Sequence, residues 1–388
     1  VERARARAAA LIGAEPAAIV WTGSATESNN LAILGVARRA LRGVRVRGSQ
    51  ARVHVVTSRT EHKAVLSACR QLEREGCEVT YLKPRADGRI EAAQVAEALR
   101  ADTVLVSIMH VNNETGVVND VAAIGAVCRE RGVAFHVDAA QSAGRLPIDV
   151  GAMGADLLSV SAHKIYGPKG AGFLYVRRDP PLGLEPMVFG GEQEQGLRSG
   201  TLATHQIVGM GLACEIAAAE REAGARHVAP LRDRLWRGLE ALGGVHLNSH
   251  TDPAANVPHI LNVSFEGVNG ENLIAGLDEL AVASGATCNS PSREASYVLR
   301  ALGRSDELAQ ASLRFSLGRY TTEDEIDTAI AVVGAAVRRL RELSPAAEPA
   351  WSGADVIRGE AGSVGEGAWV RFSVRMTGNP IATVQVYG

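Results

Sequence analysis

The sequence predicts an α/β protein: a mostly parallel seven-stranded sheet with helices on both faces, followed by a smaller α+β C-terminal domain. Three observations carry this expectation. Short apolar or β-branched runs recur along the first half of the chain, and helix-like stretches such as 64–75 and 121–131 separate most of them. The runs are near-continuously apolar rather than alternating, as strands covered on both faces are. The last two, 156–160 and 172–176, lie too close for a helical crossover, so one antiparallel strand is expected there.

Glu2, Arg3, Arg5 and Arg7 stand against Ala4, Ala8 and Leu11, a helical pattern that is already under way at Val1. Strands are expected at 18–21, 53–56, 79–82, 104–108, 134–137, 157–160 and 172–176. An Ala-rich helix from about Thr204 to Gly224 leads out of this layer, and beyond it Ile260–Phe265 and Leu313–Ser316 are strands among long helices. The chain thus divides into a large domain over 1–221, a small domain over 222–345, and a tail over 346–388. Pro, Ala, Gly and Ser between Ser344 and Gly362 read as linker, and the alternating runs 369–376 and 381–387 around Thr377-Gly-Asn-Pro380 read as a β-hairpin. The opening at Val1 and the close at Gly388 read as boundaries of a fragment.

Composition narrows the function classes. Of 388 residues 46% are hydrophobic and 22% charged, which excludes wholesale disorder. A net charge of -2 argues against a nucleic-acid binder, which needs a basic surplus. The longest apolar run near the C-terminal helix, Ala329 to Val337, is far short of the roughly 18 residues that span a bilayer. No apolar segment with a cleavage site follows the Arg-rich start, so a soluble cytoplasmic protein is expected. The 5 cysteines are odd in number, widely spaced and without a C-x-x-C pair, which speaks against a disulfide framework or a zinc cluster. Cys69, Cys77, Cys128 and Cys214 sit in helix-like or apolar surroundings and read as small buried hydrophobes, whereas Cys288 stands in a polar stretch.

Ligands of open α/β sheets bind beyond the carboxyl ends of the strands, so the residues there are the candidates. Thr22-Gly-Ser-Ala-Thr26 opens a helix and is either a phosphate cup or an ordinary helix cap. Asp138 ends one strand, where a carboxylate caps a turn or pairs with a cation. Lys164 follows another; it either reaches solvent or, desolvated, serves as an imine-forming or basic amine. His62, beyond the second strand, is a surface or core residue or a group that stacks on a ring or moves protons. Together an acid for a pyridine nitrogen, a lysine for a Schiff base and a phosphate cup are what pyridoxal phosphate requires.

These residues stand in longer motifs: Thr22-Gly-Ser-Ala-Thr-Glu-Ser-Asn-Asn-Leu, Thr60-Glu-His-Lys-Ala-Val, His110-Val-Asn-Asn-Glu-Thr-Gly-Val, Phe135-His-Val-Asp-Ala-Ala-Gln-Ser and Ser161-Ala-His-Lys-Ile-Tyr-Gly-Pro-Lys-Gly. Leu197-Arg-Ser-Gly-Thr201 and Arg314-Phe-Ser-Leu-Gly-Arg follow in order. From residue 1 to about 345 the run resembles the cysteine desulfurases of the NifS/IscS type, pyridoxal-phosphate enzymes of fold type I in the class-V aminotransferase superfamily.

The resemblance implies Lys164 as the Schiff-base lysine, Asp138 as partner of the pyridine nitrogen, Gln141 at the phenolic oxygen and His62 stacked on the ring. Ser24, Ala25, Thr26, Ser161 and His163 would hold the phosphate, with Thr201 reaching across from the other subunit of a homodimer. Asn113 and Arg314 would grip the carboxylate of L-cysteine, Arg314 by a two-pronged bond. Cys288 would take the sulfur as a persulfide, leaving L-alanine, with Lys164 as the base and His62 as acid/base for the substrate thiol. An iron–sulfur scaffold or another sulfur-acceptor protein, for cluster assembly or tRNA thiolation, would follow. No resident metal is implied, with Cys288 at most a transient iron–sulfur ligand.

Departures from the family pattern fall at Glu192 and Gln195, where a third Gly and often Arg stand, and at Ala286, Thr287 and Ala295 around the cysteine. The resemblance also implies several tens of residues ahead of Val1, including a segment near the site. The tail looks like the opening hairpin of an iron–sulfur scaffold-like domain, or else a hairpin that packs on the host domain. The rival readings are a related fold-type-I enzyme, a selenocysteine lyase or an aminotransferase, and an inactive scaffold-recruiting partner. An aminotransferase would not need Cys288, and the intact Lys164, Asp138 and His62 argue against inactivity.

Overall fold

The computed structural model describes residues 1–46, 52–284, 295–343, 356–362, 369–376 and 381–387. Cys288, Ala286 and Thr287 lie outside the described residues, as does 344–355, most of the expected linker.

In the large domain, helix α1 (Glu2–Leu11) precedes strand β1 (Ile19–Thr22) and the long helix α2 (Ala25–Val46). Then come β2 (His54–Ser58), α3 (Lys63–Arg74), β3 (Glu78–Leu82), α4 (Ala92–Ala98), β4 (Thr103–Ser107), α5 (Val121–Glu130), β5 (Ala134–Asp138), α6 (Val150–Met153), β6 (Leu157–Ser161) and β7 (Gly172–Val176). The seven strands form one sheet in the order β1-β7-β6-β5-β4-β2-β3. Pairs β3/β2, β2/β4, β4/β5 and β5/β6 are parallel, while β7 runs antiparallel to both its neighbours, as the short 156–176 connection requires. Strands β1, β2, β4, β5 and β6 therefore point their carboxyl ends to one side.

The apolar runs are continuous because each sheet face has its own core. Trp21, Val56, Val106, Phe135, Val137, Leu158, Val160 and Phe173 pack in one cluster. Their neighbours Val20, Val55, Leu105, Leu157 and Leu174 pack in another, beneath α2 and α3. The second face also buries a polar bridge in which the His136 ring lies 2.8 Å from Ser107 Oγ and 2.9 Å from Ser159 Oγ. Cys69, Cys77, Cys128 and Cys214 are all buried.

Helix α7 (Thr204–Glu240) runs on without a break past the expected boundary at 221. Its first half packs Ile207, Met210, Cys214 and Ala217 into the large-domain core, and its second half packs Val228, Leu231, Leu235 and Leu239 into the small-domain core. The small domain adds β8 (Val245–Leu247), β9 (Ile260–Phe265), α8 (Gly270–Ala275), β10 (Ala283–Ser284), α9 (Tyr297–Ala301), α10 (Asp306–Gln310), β11 (Ser312–Ser316) and α11 (Glu323–Leu343). Its sheet has the order β10-β11-β9-β8, all antiparallel. It docks on the segment 113–118 of the large domain: Asn262 Nδ2 donates to Glu114 O at 3.0 Å, and Val117 bridges to Asn256.

The tail differs from the expected hairpin by one strand. β12 (Val356–Gly362) pairs antiparallel with β13 (Trp369–Met376), which pairs antiparallel with β14 (Ile381–Tyr387). Gly359 and Gly362 interrupt the alternation of Val356–Gly362, so the stretch reads as linker although its backbone completes a three-stranded sheet.

Candidate active site

Beyond the aligned strand ends a cavity of about 280 Å³ opens, lined by Ser24, Ala25, Thr26, Asn29, His62, Met109, Val111, Asn113, Asp138, Ala140, Gln141, Ser161, His163, Lys164 and Arg314. Every expected site residue is among them except Thr201 and Cys288. Thr201 is exposed and stands outside the cavity, and Cys288 is not among the described residues.

The turn after β1 is tied down at several points. Glu27 Oε2 accepts from Gly23 N at 2.7 Å, and Arg198 Nε donates to its other oxygen at 2.8 Å. Gly172 of β7 lies so close that a Cβ there would stand 2.7 Å from the Ser24 carbonyl carbon, so only glycine lets the antiparallel strand support this turn. Four N–H groups at the start of any helix have no intrahelical partner, and those of Ala25 and Thr26 open α2 on the cavity rim. Across from them the Ser161 hydroxyl and His163 Nδ1 are 2.9 Å apart.

Asp138 ends β5 and is buried. Ala140 N–H donates to its Oδ1 at 3.0 Å and Asn29 Nδ2 to its Oδ2 at 2.7 Å, which aims the carboxylate and leaves it no full countercharge in these bonds. Lys164 follows β6. Its side chain is exposed to the cavity, whose walls still displace much of the surrounding water. Burial first and the charge of Arg314 second lower its pKa, with Asp138 opposing. His163 is lowered as well, by burial and then by Lys164 and Lys169. His62 caps α3: its Nδ1 accepts from Ala64 N at 3.1 Å, which assigns the neutral ring's proton to Nε2.

The small domain supplies Arg314 from β11. Its Nη1 donates to the Asn113 carbonyl at 2.9 Å, while the buried Arg314 Nε and Asn113 Oδ1 have no hydrogen-bond partner. Two such groups aimed at one space suit a ligand that offers a carboxylate and a donor.

Residue chemistry alone missed Asn29, although a signal existed. It lies four residues after Ala25 and four before Ile33, all three buried, so an amide stands on the apolar stripe of α2. Glu61 was also missed. It is fully buried, accepts from Ser58 Oγ at 2.9 Å and Met109 N at 3.0 Å, and burial pushes its carboxyl up to about 8. The departures at Glu192 and Gln195 fall on exposed residues. Between them the Glu194 side chain is only 2% exposed and pairs with Arg5 at 2.9 Å, pinning α1.

A parallel sheet with a lysine and an aspartate at neighbouring strand ends, a helix N-terminus on the rim and an arginine from a second domain defines a cofactor-dependent enzyme of the aminotransferase kind. The family described as aminotransferase class-V matches residues 1–328, and the chain belongs to it. Within that family it is similar to the cysteine desulfurases IscS of Pectobacterium atrosepticum, 55% identical over 92% of this chain and 86% of that protein. With the enzyme of the same name from Aeromonas salmonicida it shares 56% identity over the same proportions. Among solved structures, a NifS-like protein superposes with a TM-score of 0.78 at 33% identity, covering 87% of each chain. SspA in complex with cysteine superposes with a TM-score of 0.71 at 40% identity, covering 83% of this chain and 87% of that one. Among the described residues no helix is long and apolar enough to cross a membrane.

Proposed function

We propose that the cavity holds pyridoxal 5'-phosphate and that this chain, a cysteine desulfurase, takes the sulfur of L-cysteine onto Cys288 and releases L-alanine. The observation that carries the reading is the convergence of Lys164, Asp138 and Arg314 on one cavity. The residues fit the cofactor. Ala25 and Thr26 N–H, the Ser161 hydroxyl and His163 suit its phosphate, Asp138 its ring nitrogen, Gln141 its phenolic oxygen and His62 the face of its ring. Asn113 Oδ1 and Arg314 Nε, buried without partners, suit the amino-acid substrate.

When bound, the cofactor supplies an electron sink next to the substrate Cα. The Lys164 amine, its pKa lowered by burial and the charge of Arg314, takes and returns the Cα proton. Arg314 holds the substrate carboxylate from the small-domain side and so sets which bond at Cα faces Lys164. His62 moves the substrate thiol proton through Nε2, since Nδ1 is held by Ala64 N–H. The Cys288 thiolate attacks the substrate sulfur: an S–S bond forms, the C–S bond breaks, and carbon gains protons as L-alanine. Carbon is reduced while sulfur is oxidised to the persulfide, so no external oxidant enters.

The finer features belong to the same proposal. The chain works as a homodimer in which Thr201 of each subunit completes the other's phosphate site; its own exposure and the 77% exposure of Phe189 support this. The persulfide passes to an iron–sulfur scaffold or another sulfur-acceptor protein in the cytoplasm. Quantifying alanine and protein persulfide after adding L-cysteine tests the assignment. Cys288→Ser is expected to retain the cofactor's visible absorbance and form no persulfide; full sulfur transfer by that variant would sink the reading.

A further inference from the structure

A second cavity, of about 370 Å³, opens where α7 passes from one domain to the other, and it shares no lining residue with the active-site cavity. The large domain contributes Arg145, Ile165 and Tyr166, the small domain His259 and Arg319, and α7 the turns between Ala217 and Val228. Its charge is one-sided. Arg145, Arg221 and Arg319 stand in the lining against a single carboxylate, Glu220, which lies 3.1 Å from Arg319 Nη1 and whose side chain is 56% exposed. Arg145 and Arg221 have no carboxylate within ion-pair distance among the described residues.

The arginines are gathered on one aromatic ring. The guanidinium carbons of Arg145 and Arg319 lie 5.1 and 4.2 Å from the centre of the Tyr166 ring. Tyr166 Oη accepts from the Arg145 side chain and, at 3.1 Å, from Arg319 N. The ring is fixed in place: Tyr166 has a φ of 62°, rare for a bulky residue, and a Cβ at Gly318 would stand 2.6 Å from its oxygen. Two like charges brought to one ring repel each other, and the buried Arg319 Nε has no hydrogen-bond partner. His259 is buried beside them, and its ring makes no hydrogen bond to a described residue. Burial, then the charges of Arg145 and Lys164, lower its pKa to about 3, so the ring is neutral and adds no like charge. What this set lacks is an anion.

We propose that this cavity binds a small organic acid, its carboxylate received by Arg145 and Arg319 and its apolar body laid against Ile165, Ala217 and Val228. Guanidinium forks match a planar carboxylate two-pronged. None of the lining residues opens a helix, so the N–H groups that complete a phosphate cup are missing here. Such a ligand joins the large domain to the small one through one arginine from each. The site stands apart from the desulfurase reading.

Titration calorimetry of the purified chain with hexanoate tests the proposal, and saturable binding of one hexanoate per chain is expected at this cavity. Arg145→Gln and Arg319→Gln should each weaken it at least tenfold. A Cβ at Gly224 would meet nothing within 4 Å, so Gly224→Leu, a better helix former, should fill the cavity, keep the parent melting temperature and abolish binding. Arg314→Lys should leave the affinity unchanged, which separates this site from the substrate cavity. Sulfate should bind at least tenfold more weakly than hexanoate. Absence of saturable binding, binding that survives Gly224→Leu, or binding lost in Arg314→Lys would overturn the site. Sulfate binding as tightly as hexanoate would overturn the organic acid as its ligand.

Discussion

The two walls of the cavity hold their polar groups in different ways. On the large-domain wall, Asp138 is bonded by Asn29 and Ala140, Ser161 by His163 and the Ser24 turn by Glu27, all within that domain. On the small-domain side, Arg314, Ser296 and Tyr297 bond across to Asn113, Glu114 and Glu61. The bonds named on the first wall form within its own domain, whereas those on the second form only by docking. The groups proposed for the cofactor are therefore held within one domain, whereas the arginine proposed for the substrate carboxylate is placed by the docking of two.

The sharpest way to test that division is to remove one group from each wall. Lys164→Ala should lower kcat by about 10⁴-fold or more while leaving the melting temperature nearly unchanged, because its side chain is exposed and bonds nothing in the core. A large loss of stability would mean that the large-domain wall is not self-supporting. Arg314→Lys should cost about 10²-fold in kcat/KM for L-cysteine, mostly through KM, with cofactor content intact, since an ammonium cannot replace the planar fork. Loss of the cofactor in that variant would erase the distinction between the walls.

The smallest effect lies beneath the large-domain wall, at Glu61. The unfolded chain gives up this proton near 4.5, while the fold holds it to about 8. A raised folded-state pKa means that stability is fully present below the unfolded value and is lost as pH climbs through this window. Glu61→Gln should therefore lose on the order of 1–3 kcal/mol less stability than the parent between pH 5 and 8 in denaturant titrations. Parallel pH profiles would show that Glu61 is charged at neutral pH after all.

Which parts were legible in the sequence follows from the same division. Asp138, Lys164 and His62 could be found because each follows a continuous apolar strand, where the chemistry of an α/β sheet gathers. Arg314 could not be found that way: its strand belongs to the antiparallel sheet of the other domain, and the residue's role entered only through the resemblance. Ser296 and Tyr297 carry no local signal at all, because their partners are 182 and 236 residues away. The expected boundary at 221 falls inside α7, whose backbone continues to Glu240. The short strands β8 and β10 escaped for want of enough residues to make a pattern.

That shared helix imposes a phase relation on the two halves of the protein. From Ala217, the last large-domain core residue in α7, to Val228, the first in the small-domain core, the chain advances by three turns of about 3.6 residues, so both cores grip nearly the same side of one rod. A single residue inserted between them would turn everything beyond it by about 100° and swing Arg314 away from Asn113. The length of this stretch is therefore a dial with one correct setting per turn: the number of residues between Ala217 and Val228 is fixed more tightly than their identity.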